Sequence, residues 1–184
     1  MLNKTLTIDE AAEALQGLMQ KDFNREWLAR LSRVSRLDIV RAEDELIFLD
    51  FFAIYFSLKF TRSPGWRDKG VLVFEKFFSS FLSWYGNFLE SKRAGTRDDA
   101  FKILDARLNA YGASIEEPSS AEPEEMLRSI GLKFAMYALA EECEKAFLVK
   151  LLVDCENIIT TVGAEVFNHR VQMLHTWFDS HKIA

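Results

Sequence analysis

Seven aromatic side chains, Phe74, Phe77, Phe78, Phe81, Trp84, Tyr85 and Phe88, recur at helical spacing in one stretch of the chain. At about 100° per residue they fall within an arc of about 120°, while Glu75, Lys76, Ser79, Ser80, Ser83, Gly86 and Asn87 take the other side. A face this apolar has to be dry, so the spacing predicts a helix laid against a core. The preceding segment places Phe48, Phe51, Phe52, Tyr55 and Leu58 on a comparable arc, and Ser63-Pro64-Gly65 breaks the chain between the two. Folding back at that break gives an antiparallel hairpin in which Phe52 nears Phe77 and Phe48 nears Phe81. Ring pairs of this kind add about 0.5–1.5 kcal/mol each beyond area burial, which makes the hairpin the expected stability centre.

The earlier helix has more apolar surface than a hairpin uses. Ile47, Leu49, Ile54, Phe56 and Phe60 flank its aromatic arc, leaving Leu46, Asp50, Ala53 and Ser57 for the back. A helix apolar nearly all round is central, and the expectation is that the C-terminal helices cover it. The five flanking residues are the candidate surface for association or for an apolar ligand. Asp50, on the narrow polar strip, is the one carboxylate whose burial could give it a chemical role.

Elsewhere the chain carries helix signals only. Thr7-Ile8-Asp9-Glu10 has the form of a capping box, Asn24 and Asp38 are candidate caps of the next two helices, and Thr96 with Asp99 opens another. Residues 112–123 read GASIEEPSSAEP, a polar stretch with two prolines, and are predicted as a surface loop. After Pro123 apolar residues keep helical spacing almost to the end. One unbroken helix there would run roughly 80 Å, longer than a domain of this size is across. A break is therefore required, and Thr160-Thr161-Val162-Gly163 is its best place, with Gly131 and Glu141-Glu142 as weaker ones. No segment alternates with the period of a strand. The prediction is a single all-α domain over 1–184, a bundle of about six to eight helices around the aromatic hairpin.

Composition narrows the function classes. With 49% hydrophobic residues, 28% charged, 8 Gly and 3 Pro in 184, the chain is globular rather than disordered. A net charge of −5 excludes a body that coats nucleic acid. Met1 to Glu10 has no apolar run of the kind a secretory signal needs, and Leu46 to Phe60 is too short and too polar to span a bilayer. Cys143 and Cys155 stand on different sides of a helix and read as buried thiols of a reducing cytoplasm.

Charge is unevenly spread. Lys21, Arg25, Arg30, Arg33, Arg36 and Arg41 oppose only Asp22, Glu26 and Asp38, whereas residues 113–156 are rich in acids able to face them. The string from Leu28 to Ile39, LARLSRVSRLDI, resembles the turn region of bacterial helix-turn-helix regulators. That resemblance implies a DNA-binding helix capped by Ser35, with Arg30, Arg33, Arg36 and Arg41 as the residues toward DNA. It departs from the family at Arg33, where glycine is usual, and at Asp38, an acid toward phosphate.

For metal chemistry, His169, His175 and His181 point three ways around a helix, and only Glu165 and His169 could share a face. No nucleophile elbow, phosphate loop or dinucleotide fingerprint occurs, so no catalytic residue, metal or cofactor is assigned. The expectation is a cytoplasmic, non-enzymatic helical protein acting through protein association as a homodimer. The alternatives are a DNA-binding regulator and a carrier or sensor of an apolar small molecule.

Overall fold

A computed structural model of the chain describes residues 4–20, 23–34, 37–93, 95–116, 122–139 and 158–184. The fold is all-α with an aromatic-rich core. Among the described residues there are eight helices: α1 (Ile8–Gln20), α2 (Phe23–Leu31), α3 (Ile39–Phe60), α4 (Pro64–Arg67), α5 (Gly70–Lys92), α6 (Arg97–Glu116), α7 (Pro123–Leu139) and α8 (Ile158–Ser180). Two three-residue strands, β1 (Lys4–Leu6) and β2 (His181–Ile183), pair in parallel with Leu6 opposite Ile183. Strands this short carry no alternation, so periodicity gives no sign of them. Among the described residues no helix is long and apolar enough to cross a membrane.

The chain divides into two compact units, Met1–Lys21 with Phe52–Leu108 and Arg170–Ala184, and Asp22–Phe51 with Asn109–His169. In the first, β1 runs into α1 through the predicted capping box. The Thr7 hydroxyl accepts the Glu10 N–H, and the Thr7 N–H donates to the Glu10 carboxylate at 2.8 Å. The backbone and hydroxyl donors of Thr7 hold Glu10 below its ordinary pKa. Thr96 and Asp99 repeat the device at the start of α6, and the Thr96 hydroxyl, with its N–H, lowers Asp99 in the same way. Helix α1 packs along α5, burying Ala11, Ala12 and Leu15, and a surface pair joins Lys76 to Asp9 at 3.2 Å.

Three of the seven rings in the aromatic arc of α5 are fully dry. Phe77, Phe81 and Tyr85 are buried and stacked in series, the last two nearly coplanar at 2°, while Phe74, Phe78, Trp84 and Phe88 are half-buried. The face expected to be polar is exposed except at Gly86. Tyr55 and Phe74 meet at 5.1 Å between ring centroids, one turn nearer the connection than Phe52 and Phe77 and in the same register. The connection is more than a turn. Pro64 opens the single-turn helix α4, whose Trp66 is buried against Trp177 and Phe178 and donates its indole N–H to the His181 carbonyl at 2.9 Å. His181 belongs to β2, one residue past the final helix in which its sequence position had placed it.

The second unit corrects three expectations. Thr160 to Gly163 does not break the chain but lies inside α8. Its glycine serves close packing: a Cβ on Gly163 would stand 2.7 Å from the Cβ of Phe134 in α7, and one on Gly131 would collide with the Thr160 carbonyl oxygen. The two glycines let α7 and α8 approach across a shared contact. Residues 112–116 are not loop, because α6 continues to Glu116 with Ser114 fully buried; alanines and Ile115 keep the helix apolar enough to pack. Helix α2 already begins at Phe23, ahead of the cap expected at Asn24. Residues 117–121, Cys143, Cys155 and the Glu141-Glu142 position lie outside the described residues.

Candidate association site

The sequence-predicted surface set is split by burial. Leu49 and Ile54 are fully buried, so they belong to the core and cannot present a surface. Ile47 and Phe56 are half-buried, and Phe60, the last residue of α3, is 47% exposed. Helix α3 is apolar nearly all round because most of it is enclosed by its own chain. Its two ends reach solvent with large apolar groups, Ile39 and Val40 in the first turn and Phe60 at the C-terminus.

The C-terminal end forms a corner with α4 and the start of α5. Thr61 ends the helical run, its hydroxyl accepting the Ser63 N–H at 3.2 Å, and the Ser63 carbonyl accepts from Trp66 and Arg67 to wind α4. Buried Trp66 anchors this turn. Gly70 then brings α5 against α3 so closely that a Cβ there would stand 3.0 Å from the Leu58 carbonyl oxygen. The first turn of α5 carries Val71, 69% exposed, and Leu72, 49% exposed.

Beside them lies a cleft of about 260 Å³ lined by Tyr55, Leu58, Lys59, Arg67, Gly70, Val71 and Phe74. The Lys59 ammonium donates to the Tyr55 hydroxyl at 3.1 Å and lies over the rings of Tyr55 and Phe60. Phe60 in turn packs on Phe56 at 4.8 Å. The arrangement offers apolar contact and cationic donors but no carboxylate, thiol or imidazole to move a proton or attack a carbonyl.

The basic region near residue 30 is arranged differently from a DNA reader. Helix α3 is capped by Asp38, whose carboxylate accepts the N–H groups of Val40 and Arg41, and not by Ser35, which with Arg36 lies outside the described residues. Arg33 sits exposed in the turn after α2, and Arg41 is exposed in the first turn of α3. From Ala42 onward α3 is largely buried. Arg30 lies over Trp27 and forms a 2.6 Å ion pair with Glu165 of α8, so its acid comes from α8 rather than from residues 113–156. Glu165, a candidate metal ligand from its spacing to His169, is thereby an arginine partner. Among the described residues no group of histidine, cysteine, aspartate and glutamate is arranged to hold a metal ion.

Asp50 is fully buried, and so is Glu45, whose carboxylate accepts the Tyr111 hydroxyl at 2.6 Å. Glu45 gave no signal in the sequence, since it stands amid the charged first turns of α3. Lys59, Arg67, Val71 and Leu72 were also missed, although Leu72 falls about opposite the centre of the aromatic arc of α5, where an apolar residue is out of place. No protein-family profile matches this chain, and no curated protein and no solved structure matches it either.

Proposed function

We propose that this chain works by binding another protein through the corner where α3 ends and α5 begins, without catalysing a reaction, and that it does so in the cytoplasm. One observation carries this: Val71, 69% exposed, lines an open cleft with Tyr55, Leu58 and Phe74, and the large apolar side chains of Phe60 and Leu72 are exposed at the end of α3 and the start of α5. Scattered apolar residues on a surface need no explanation, whereas several beside a concavity are the usual mark of a binding surface. A regulator that reads DNA with α3 has less support, because that helix is largely buried between its first turn and its C-terminal end.

The test is a benzophenone amino acid placed at Val71, and at exposed Glu90 as a control, in the cells that make the protein. The expected result is a discrete photo-adduct from position 71 that is absent from position 90 and lost when Leu72→Ser is added. An adduct with a second copy would assign the homodimer. Equal labelling at both positions would remove the association function.

A further inference from the structure

We propose that the cleft between α3 and α5 takes an acidic segment of a partner protein that carries one large apolar side chain; this rests on the association just proposed. The lining is sorted by chemistry. Tyr55, Leu58, Val71 and Phe74 supply apolar wall, Lys59 and Arg67 supply positive charge, and no carboxylate lines the cleft. Glu75, one turn along from Val71, is exposed but is not part of the lining.

Among the described residues the arginines of this corner, Arg67 and Arg62, have neither a hydrogen-bond nor an ion-pair partner for their side chains. Lys59 is held by a phenol oxygen and two ring faces, none of which neutralises it. Between Lys59 and Leu72 the chain carries Lys59, Arg62, Arg67 and Lys69 against Asp68 alone, in a protein whose net charge is −5. Lys69 spends its donor on the Ile183 carbonyl, at 3.5 Å, and keeps its charge. A cationic corner of this kind steers and orients an acidic partner. A second copy meeting it through a twofold axis would set these four cations against their own images, which disfavours self-pairing at this corner.

The volume of the cleft points the same way. At about 260 Å³ it lies below the roughly 300–1,000 Å³ of pockets that enclose whole drug-sized ligands, and it suits a single anchoring side chain. The anchor enters beside the rings of Tyr55 and Phe74. Carboxylates on either side of it meet the planar fork of Arg67 and the ammonium of Lys59, and exposed Val71 flanks the anchor.

Fluorescence anisotropy of the intact chain with a labelled synthetic peptide tests this. The peptide alternates glutamate and serine around one phenylalanine. It is expected to bind, to bind less as salt rises, and to lose about tenfold or more in affinity when its phenylalanine becomes serine or when the protein carries Arg67→Glu. Arg67 is exposed and Val71→Asp changes an exposed residue too, so two variants with unchanged circular dichroism guard against a folding artefact. Equal affinity for a lysine-for-glutamate peptide, or no effect of either variant, overturns the proposal. So does binding of dodecanoate or of phosphatidylglycerol vesicles where the peptide does not bind. A photo-adduct at Val71 without peptide binding overturns the acidic partner class alone, and absence of both removes the association function as well.

Discussion

Gly163 of α8 lies so close to Phe134 of α7 that a methyl group in its place would stand 2.7 Å from the phenylalanine Cβ. A glycine inside a helix normally costs about 0.5–1 kcal/mol relative to alanine, so replacing it ought to help. Here the neighbour is the base of a rigid buried side chain, and crowding outweighs propensity. Gly163→Ala is expected to destabilise by about 1–3 kcal/mol, whereas Gly112→Ala in α6, with nothing within 4 Å, is expected to stabilise by up to about 1 kcal/mol. Urea titration of both variants checks this, and a shared sign would refute the close packing.

The buried Glu45 carboxylate depends on donors, and Tyr111 supplies one at 2.6 Å. Tyr111→Phe removes the hydroxyl while leaving the ring in place. It is expected to cost about 0.5–3 kcal/mol, as for a buried hydrogen bond whose partner is left unsatisfied. A loss of less than a few tenths in chemical denaturation would mean that Glu45 is served as well by others.

Ser57 and Ser114 carry the opposite expectation, since each buries a hydroxyl oxygen that has no hydrogen-bond partner among the described residues. Alanine removes that polar group at almost no loss of volume. Ser57→Ala and Ser114→Ala should each be neutral or raise stability by about 1 kcal/mol. A clear fall in the thermal midpoint of either variant would contradict this.

Much of this was legible in the sequence, and the reasons for the rest are physical. The stripe from Phe74 to Phe88 and the capping residues Thr7, Asp38 and Thr96 are local signals, and local signals need no knowledge of the partner. The glycines were not local. Gly163 reads as a breaker until Phe134, far off in sequence, is known to lie against it. The five-residue surface set failed at Leu49 and Ile54 for the same reason, because an apolar helix does not record which of its faces the rest of the chain will cover. Of that set only Phe60 is exposed, at the end of α3.

Trp66 links the connecting turn to β2 through its indole N–H. Trp66→Phe should keep much of the packing against Trp177 and Phe178 but orphan the His181 carbonyl, costing about 1–3 kcal/mol. Hydrogen exchange at the amides of residues 181–184 should quicken in this variant more than exchange along α5. Uniform acceleration would show instead that Trp66 acts by burial alone.

Glu10 and Asp99 have pKa values lowered by their threonine partners, so their contribution is complete above the ordinary carboxylate value and fades as pH falls through the lowered one. Thr7→Ala removes the hydroxyl donor but keeps the residue-7 N–H, the larger cause, so the Glu10 pKa should move only part of the way toward 4.5 while Asp99 stays unchanged. Carboxyl-carbon NMR titration reads both groups in one experiment. A Glu10 pKa that does not move at all would mean that the residue-7 N–H sets the shift without the hydroxyl.

The pairing of Lys4–Leu6 with His181–Ile183 also dictates an order of events during synthesis. A strand near the start of the chain has no partner until residue 183 has left the ribosome, and Trp66 waits as long for the carbonyl it bonds. Such contacts join residues 115 or more apart in sequence, and contacts of that kind form late. The unit that contains the aromatic hairpin can therefore gather its helices early but close only once residues 181–183 have been made, leaving Trp66 without the cover of Trp177 and Phe178 in the interval.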